Sequence, residues 1–159
     1  MRGRADSRAN ILLAIFIILV VLFLDRISKA FFSNILALGE SIPVVLNVAH
    51  FTLVHNTGIA FGLLKNQGVV LAIIPVIVAA LIIFAVYYFR NSKTIDKISL
   101  IGFSLILGGA FGNLIDRLFY GYVIDFIDFR IWPVFNIADS AITIGTVLIL
   151  IKCIPLSAK

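Results

Sequence analysis

Residues 11–24 read ILLAIFIILVVLFL, a run without one polar side chain. In water such a run would need apolar cover on every side. In a bilayer it needs none, because a helix satisfies its own backbone hydrogen bonds and lipid meets the side chains. Comparable segments recur around 68–89, 97–117 and 137–154. A helix rises about 1.5 Å per residue, so roughly 20 residues cross a hydrocarbon core of about 30 Å. The chain is 62% hydrophobic and only 13% charged. These features predict an all-α membrane protein with four transmembrane helices at about 11–31, 68–89, 97–117 and 137–154. Its 159 residues should form one domain. Pro75 should kink the second span, which membrane helices tolerate.

The basic start, RGRADSR, gives the first segment the look of a secretory leader. Its apolar run is long for a leader, and Asp25, Arg26 and Lys29 follow it where a small-residue cleavage site would stand. It is therefore expected to stay as the first span. With four spans, one side collects Arg2, Arg4, Arg8, Arg90, Lys93, Lys97, Lys152 and Lys159 against Asp6 and Asp96, a net +6. The other side collects Arg26, Lys29, Lys65, Arg117 and Arg130 against all six remaining acids, a net −1. Basic loops stay inside, so both termini should be cytoplasmic and the acidic loops should face outward. Tyr120, Tyr122 and Trp132 fit an outer aromatic belt, and Tyr87 and Tyr88 an inner one.

The outer loop 32–67 is too long for a simple turn. Within it, IPVVLNVAHFTLVHNTGIAFG (42–62) is rich in β-branched and aromatic residues and predicts one or two short strands. Together they would form a small extracytoplasmic β platform against the outer leaflet. Residues 31–41 predict a short amphipathic segment lying on the membrane before it.

Composition excludes several functions. A net charge of +5 without basic clusters interleaved with aromatics speaks against nucleic acid. Cys153 is the only cysteine, so no intramolecular disulfide forms and a thiol nucleophile is not expected. His50 and His55 are five apart in an expected strand and so face opposite ways, which argues against a metal site. Ser28 beside Lys29 diverges from it on a helix, so a Ser/Lys nucleophile is not expected. Neither metal nor other cofactor is predicted.

Half of the chain's acids, Asp116, Asp125, Asp128 and Asp139, fall within residues 108–140. Carboxylates beside a bilayer are costly and mark candidate sites. Asn113 and Asp116 share a helix face at i, i+3, and the spacing returns in Asn136 and Asp139. Small residues, Ser104, Gly108 and Gly112 on one helix and Ala141 and Gly145 on the next, would let the two helices approach. Spacing alone thus nominates Asp116 with Asp139 as a carboxylate pair for general acid/base hydrolysis. Plainer readings stand beside it. Asp116 and Arg117 would form a local ion pair, Asp128 and Arg130 would be solvated loop charges, and Asp139 would complement the N-terminal end of its helix.

Five strings carry a resemblance: LDRISK (24–29), HNTGIAFG (55–62), GGAFGNLIDR (108–117), GYVIDFID (121–128) and FNIADS (135–140). Together, in this order and over nearly the whole chain, they resemble the lipoprotein signal peptidase family, signal peptidase II. Ile124 and Ile127 depart mildly from the valine common there. The resemblance implies a bacterial membrane aspartic endopeptidase that removes signal peptides from prolipoproteins, cutting just before a diacylglyceryl-modified cysteine. It shifts the catalytic pair to Asp125 and Asp139. It makes Asn56, Asn113, Arg117 and Asn136 substrate-binding or supporting residues, gives Asp116 a supporting role with Arg117, and marks Asp25 and Lys29 as a structural polar pair. Phe61 and Leu63 would cover the site. The expected partners are lipid-modified prolipoproteins and membrane lipid, with no nucleic acid, and the chain is expected to be a monomer. Its place is the bacterial cytoplasmic membrane, with the active site at the outer face.

A small proton-coupled transporter using the carboxylates as a relay is the rival. Its weakness is that the acids gather at one membrane face and the span interiors carry no ionisable residue to complete a path. The charge asymmetry gives a direct test. Cysteines replacing Glu40 and Asp128 should react with an impermeant reagent in intact cells, and one replacing Lys93 should not. The opposite labelling pattern would invert the topology.

Overall fold

The computed structural model describes residues 2–58 and 96–153, with residues 77, 80 and 84 between them. The elements are α1 (Arg2–Ile35), β1 (Ser41–Val45), β2 (Ala49–Asn56), α2 (Lys97–Tyr120), β3 (Val123–Asp128) and α3 (Ile137–Cys153). The second expected span, with Pro75, Tyr87 and Tyr88, and the covering residues Phe61 and Leu63 lie outside the described residues. Ile77, Ala80 and Phe84 alone are described there; they are helical and exposed. Two described helices are long and apolar enough to cross a membrane, Arg8–Ile35 and Lys97–Tyr120. At 17 residues α3 is shorter.

α1 begins earlier and ends later than its apolar run. Its buried positions Val21, Asp25, Lys29 and Phe32 continue into Leu36 at spacings of four, four, three and four, a single stripe along one face. Phe16, Leu19, Phe23 and Ile27 on other faces are exposed, as lipid-facing side chains would be. No separate amphipathic piece occupies 31–41. Residues 31–35 finish α1, and Ala37–Glu40 close a turn in which the Ala37 N–H donates to Glu40 Oε2 at 2.7 Å and the Glu40 N–H to the Ala37 carbonyl at 2.9 Å. Gly39 takes φ 82°, the left-handed conformation such a turn demands.

The sheet has three antiparallel strands in the order β1-β2-β3. Two of them match the strands expected in the long loop. β3 falls where a loop was expected; VIDFID lacks the apolar/polar alternation of a half-buried strand, although Val123, Ile124, Phe126 and Ile127 are of strand-favouring types. Pairing of Val54 with Asp125 and of Asn56 with Val123 sets Asn56 and Asp125 close together across the sheet. The sheet is fastened to the end of α1 by a cluster of Phe32, Leu36, Leu53, Ile124 and Phe126. The Phe32 ring stacks on Phe126 at 4.3 Å and meets Phe51 at 4.4 Å.

Arg130 is an exposed loop charge, as expected, but Asp128 is not solvated. Asp128 is 6% exposed, and Thr52 Oγ1 donates to its Oδ2 at 2.7 Å. The Arg130 N–H bonds its Oδ1 at 2.8 Å, while the Arg130 guanidinium reaches His50 Nδ1 at 3.1 Å and Ser41 Oγ at 2.9 Å. Burial raises the Asp128 pKa, but these donors and the Arg130 charge outweigh it and hold the carboxyl below its ordinary value. Asp128 is therefore a poor labelling position, and Glu40, which is exposed, is the better one.

Small residues do set the helix approach: Gly145 of α3 packs on Gly102 and Ile106 of α2 as expected, but Gly108 and Gly112 turn elsewhere. Gly108 and Gly112 face α1, where an added Cβ would come 2.9 Å from Val21 Cβ and 2.8 Å from Asp25 Oδ2. Gly102 and Gly109 face α3, and a Cβ on Gly109 would collide with the Ala138 carbonyl oxygen and Ile142. Replacing Gly109 by Ala gains helix propensity worth up to about 1 kcal/mol. Overpacking against backbone costs about 1–3 kcal/mol. Gly109→Ala should therefore lower the thermal midpoint of the detergent-solubilised protein, and an unchanged or higher midpoint would refute this packing.

Candidate active site

Buried charges come first in building the site. Asp25 and Lys29, one turn apart on α1, pair at 2.8 Å. Lys29 Nζ also lies 2.7 Å from Asp116 Oδ2, and Arg26 bridges the same two acids at 2.9 and 2.6 Å. Asp25 and Asp116 are fully buried and Lys29 is 1% exposed. Two cations and two carboxylates cancel, which is what makes their burial tolerable. Asp25 Oδ1 accepts from the Ala138 N–H at 3.1 Å and Asp116 Oδ2 from the Ile124 N–H at 3.2 Å. Arg26 also donates to the Gly112 carbonyl at 3.0 Å. The cluster thus ties α1 and α2 to the start of α3 and to β3.

Asparagines extend from this cluster. Lys29 donates to Asn113 Oδ1 at 3.1 Å, and Asn113 Nδ2 donates to Asp139 Oδ1 at 2.7 Å. Asn136 Nδ2 donates to Asn113 Oδ1 at 3.1 Å and to Asp125 Oδ1 at 2.6 Å. Asn136 is also the N-cap of α3: its Oδ1 accepts from the Asp139 N–H at 2.9 Å, while its own N–H points at Asp139 Oδ2 at 3.4 Å. This is a capping box with Asp at the third helical position. Asp139 therefore does complement its helix start, and it does so within the polar network. From the sheet side, Asn56 Nδ2 donates to Asp125 Oδ2 at 2.9 Å, and its Oδ1 accepts from the Gly58 N–H at 3.0 Å in an Asx turn.

Asp125 and Asp139 thus both engage Asn136. Burial, and then the charge of Asp139, push the Asp125 carboxyl up to about 7, against the downward pull of Asn56, Asn136 and Lys29. At neutral pH this carboxyl therefore keeps a proton far more readily than an exposed aspartate does. Two buried carboxyls around one amide, at least one of them raised toward neutrality, can serve general acid/base hydrolysis.

All nine sequence-nominated residues converge here, with two corrections. Asp116 pairs with Arg26 and Lys29, not with Arg117. Arg117 instead reaches the Asn113 and Gly58 carbonyls, both at 3.4 Å. Nor does the spacing-based pair of Asp116 with Asp139 form around a shared partner; Asp125 occupies that position. Arg26 is the residue that sequence reasoning passed over, and its only signal was its place inside LDRISK. The histidines go elsewhere, His50 to Arg130 and His55 to a 3.9 Å stack on Tyr122.

Apolar helices, a small sheet and a buried carboxylate site between them are the marks of a membrane enzyme, and solved structures agree. Two, each described as a bacterial membrane enzyme determined by the in meso method, superpose with TM-scores of 0.80 and 0.79 at 33% and 32% identity. They cover 88% and 91% of this chain and 86% and 94% of their own chains. A family model for signal peptidase (SPase) II matches residues 17–155, and the chain belongs to that family. The lipoprotein signal peptidase of Moorella thermoacetica is 47% identical over 82% of this chain and 85% of its own. That of Halothermothrix orenii is 41% identical over 85% and 90%.

Removing one member of the charge cluster leaves an uncompensated buried partner, which costs about 3–5 kcal/mol. Asp116→Asn should accordingly lower the thermal midpoint far more than any exposed acid-to-amide change, such as Glu40→Gln. Equal midpoints would show that the cluster contributes little.

Proposed function

We propose that the chain is an aspartic endopeptidase that removes signal peptides from prolipoproteins, with Asp125 and Asp139 as its catalytic dyad. The supporting observation is that both carboxylates are held around Asn136, where burial and then the Asp139 charge raise the Asp125 carboxyl. The ionised member takes a proton from water as the water oxygen attacks the scissile carbonyl. The protonated member donates to the carbonyl oxygen. The tetrahedral intermediate then collapses, the C–N bond breaks, and the pair returns a proton to the leaving amine. Among the described residues, Asp139 Oδ2 has only the long 3.4 Å contact from Asn136, so it retains acceptor capacity for water. Asp125 has both oxygens engaged by amides. The shared proton belongs to the pair rather than to either residue.

Cleavage falls just before the diacylglyceryl-modified cysteine. The acyl chains stay in lipid while the amide reaches the dyad from the side. The protein is a single four-span monomeric unit of the cytoplasmic membrane, with both termini inside and the dyad at the outer face. The charge asymmetry of its loops supports that orientation. Asn56, Asn113, Arg117 and Asn136 hold the dyad and the substrate strand.

Asp125→Asn and Asp139→Asn should each abolish cleavage of lipid-modified precursor while leaving folded protein, and the double variant should be little worse than either. Full activity in either single variant would sink the dyad. The pH profile follows from the raised carboxyl. Protonated Asp125 is present below about 7 and lost above it. kcat/KM should therefore fall as pH rises through an apparent value near 7, and a profile flat from pH 6 to 9 would contradict it. Precursor lacking the diacylglyceryl group should be cut on the order of 100-fold more slowly, because the anchor supplies the near-attack position; equal rates in detergent would exclude lipid recognition.

A further inference from the structure

We propose that Lys29 is a positioning residue for the dyad as well as a structural partner of Asp25: its ammonium fixes which way the Asn113 amide points, and through it the amide of Asn136. The inference rests on the Asp125–Asp139 reading. It starts from a difference between donors and acceptors. A primary amide has two ends of similar shape, and only its partners decide which end faces which neighbour. An ammonium donates and never accepts. Lys29 Nζ sits 3.1 Å from the Asn113 side chain, so the end turned toward it must be the oxygen. The Asn113 NH₂ then has to face Asp139, at 2.7 Å. The same oxygen accepts from Asn136 Nδ2 at 3.1 Å, which turns the Asn136 NH₂ inward, where it also donates to Asp125 at 2.6 Å. One cation thus sets the direction of every hydrogen bond from α1 to both carboxylates.

Lys29 suits this task because it cannot turn away. It is 1% exposed, and its other two contacts, Asp25 at 2.8 Å and Asp116 at 2.7 Å, aim the ammonium from two sides. Without it, Asn113 could rotate and present its oxygen to Asp139, setting acceptor against acceptor. Among the described residues, the charged groups around the dyad are Lys29, Asp25 and Arg26 on α1, Asp116 and Arg117 on α2, and the two carboxylates themselves. Arg117 attracts both carboxylates by charge, and Lys29 does the same at Asp125, where it favours the ionised form.

Lys29→Met alone strips two buried carboxylates of a partner, so it is paired with Asp25→Asn, which keeps the cluster neutral and leaves an oxygen for the Ala138 N–H. The expected result is a folded double variant, by thermal unfolding in detergent, whose kcat on lipid-modified precursor falls on the order of 100-fold. Its KM should change little and its alkaline limb should move to higher pH. Asp25→Asn alone leaves the cluster one positive charge in excess, so it should cost stability, but its kcat should fall far less than in the double variant and its alkaline limb should not move to higher pH. Three results would overturn the proposal: wild-type kcat and pH limb in the folded double variant, equal losses in Asp25→Asn alone, or a double variant that fails to fold, which would assign Lys29 to structure only. Asp139→Asn is run alongside: if it retains activity, the dyad reading fails, and this distinguishes that failure from a failure of Lys29.

Discussion

Two cations and two carboxylates, three of the four almost wholly out of solvent, hold this molecule in register. None of them would be stable there alone. Together Asp25, Arg26, Lys29 and Asp116 cancel, and each acid also accepts a backbone N–H of another element, Ala138 at the start of α3 and Ile124 in β3. The start of α3 carries Asp139 and β3 carries Asp125. The positions of the two proposed catalytic carboxylates are therefore consequences of the ion cluster. Gly112 completes the arrangement, since any side chain there would press on Asp25.

Around that anchor the fold separates two kinds of surface. α1 turns most of its apolar side chains outward and keeps one narrow stripe inward, polar in the middle and aromatic toward its end. The aromatic end, Phe32 and Leu36, is where the sheet docks. The sheet in turn brings Asn56 against Asp125 from the side opposite Asn136. A membrane enzyme of the signal peptidase II family needs such an arrangement, because its chemistry requires water and fixed polar groups at a place where lipid is the default solvent.

Much of this was legible in the chain. The apolar runs, the long loop with its strands and the helix-start character of FNIADS follow from residue type and spacing, while LDRISK was marked by the resemblance. So does the conclusion that the carboxylates between 108 and 140 matter, since isolated acids beside a bilayer are too costly to be idle. The resemblance to signal peptidase II, carried by five strings in order, agrees with the family model and the relatives. Spacing alone went astray at Asp116. The i, i+3 repeat of Asn and Asp is genuine, but periodicity reports only which residues share a face of one helix, and Asp116 uses its face to meet α1.

The sequence by itself determined the solvent, the elements and the list of polar residues, because hydropathy, local propensity and charge are properties of neighbours along the chain. Tertiary structure decided the pairings. Whether Asp116 meets Arg117 or Lys29, whether Asp128 is solvated or buried beneath Thr52 and Arg130, and whether VIDFID is loop or strand depend on residues dozens of positions away. Hydrogen bonds and ion pairs act over a few ångströms, and only the packed chain brings α1, β2, β3 and the helix starts within that range of one another.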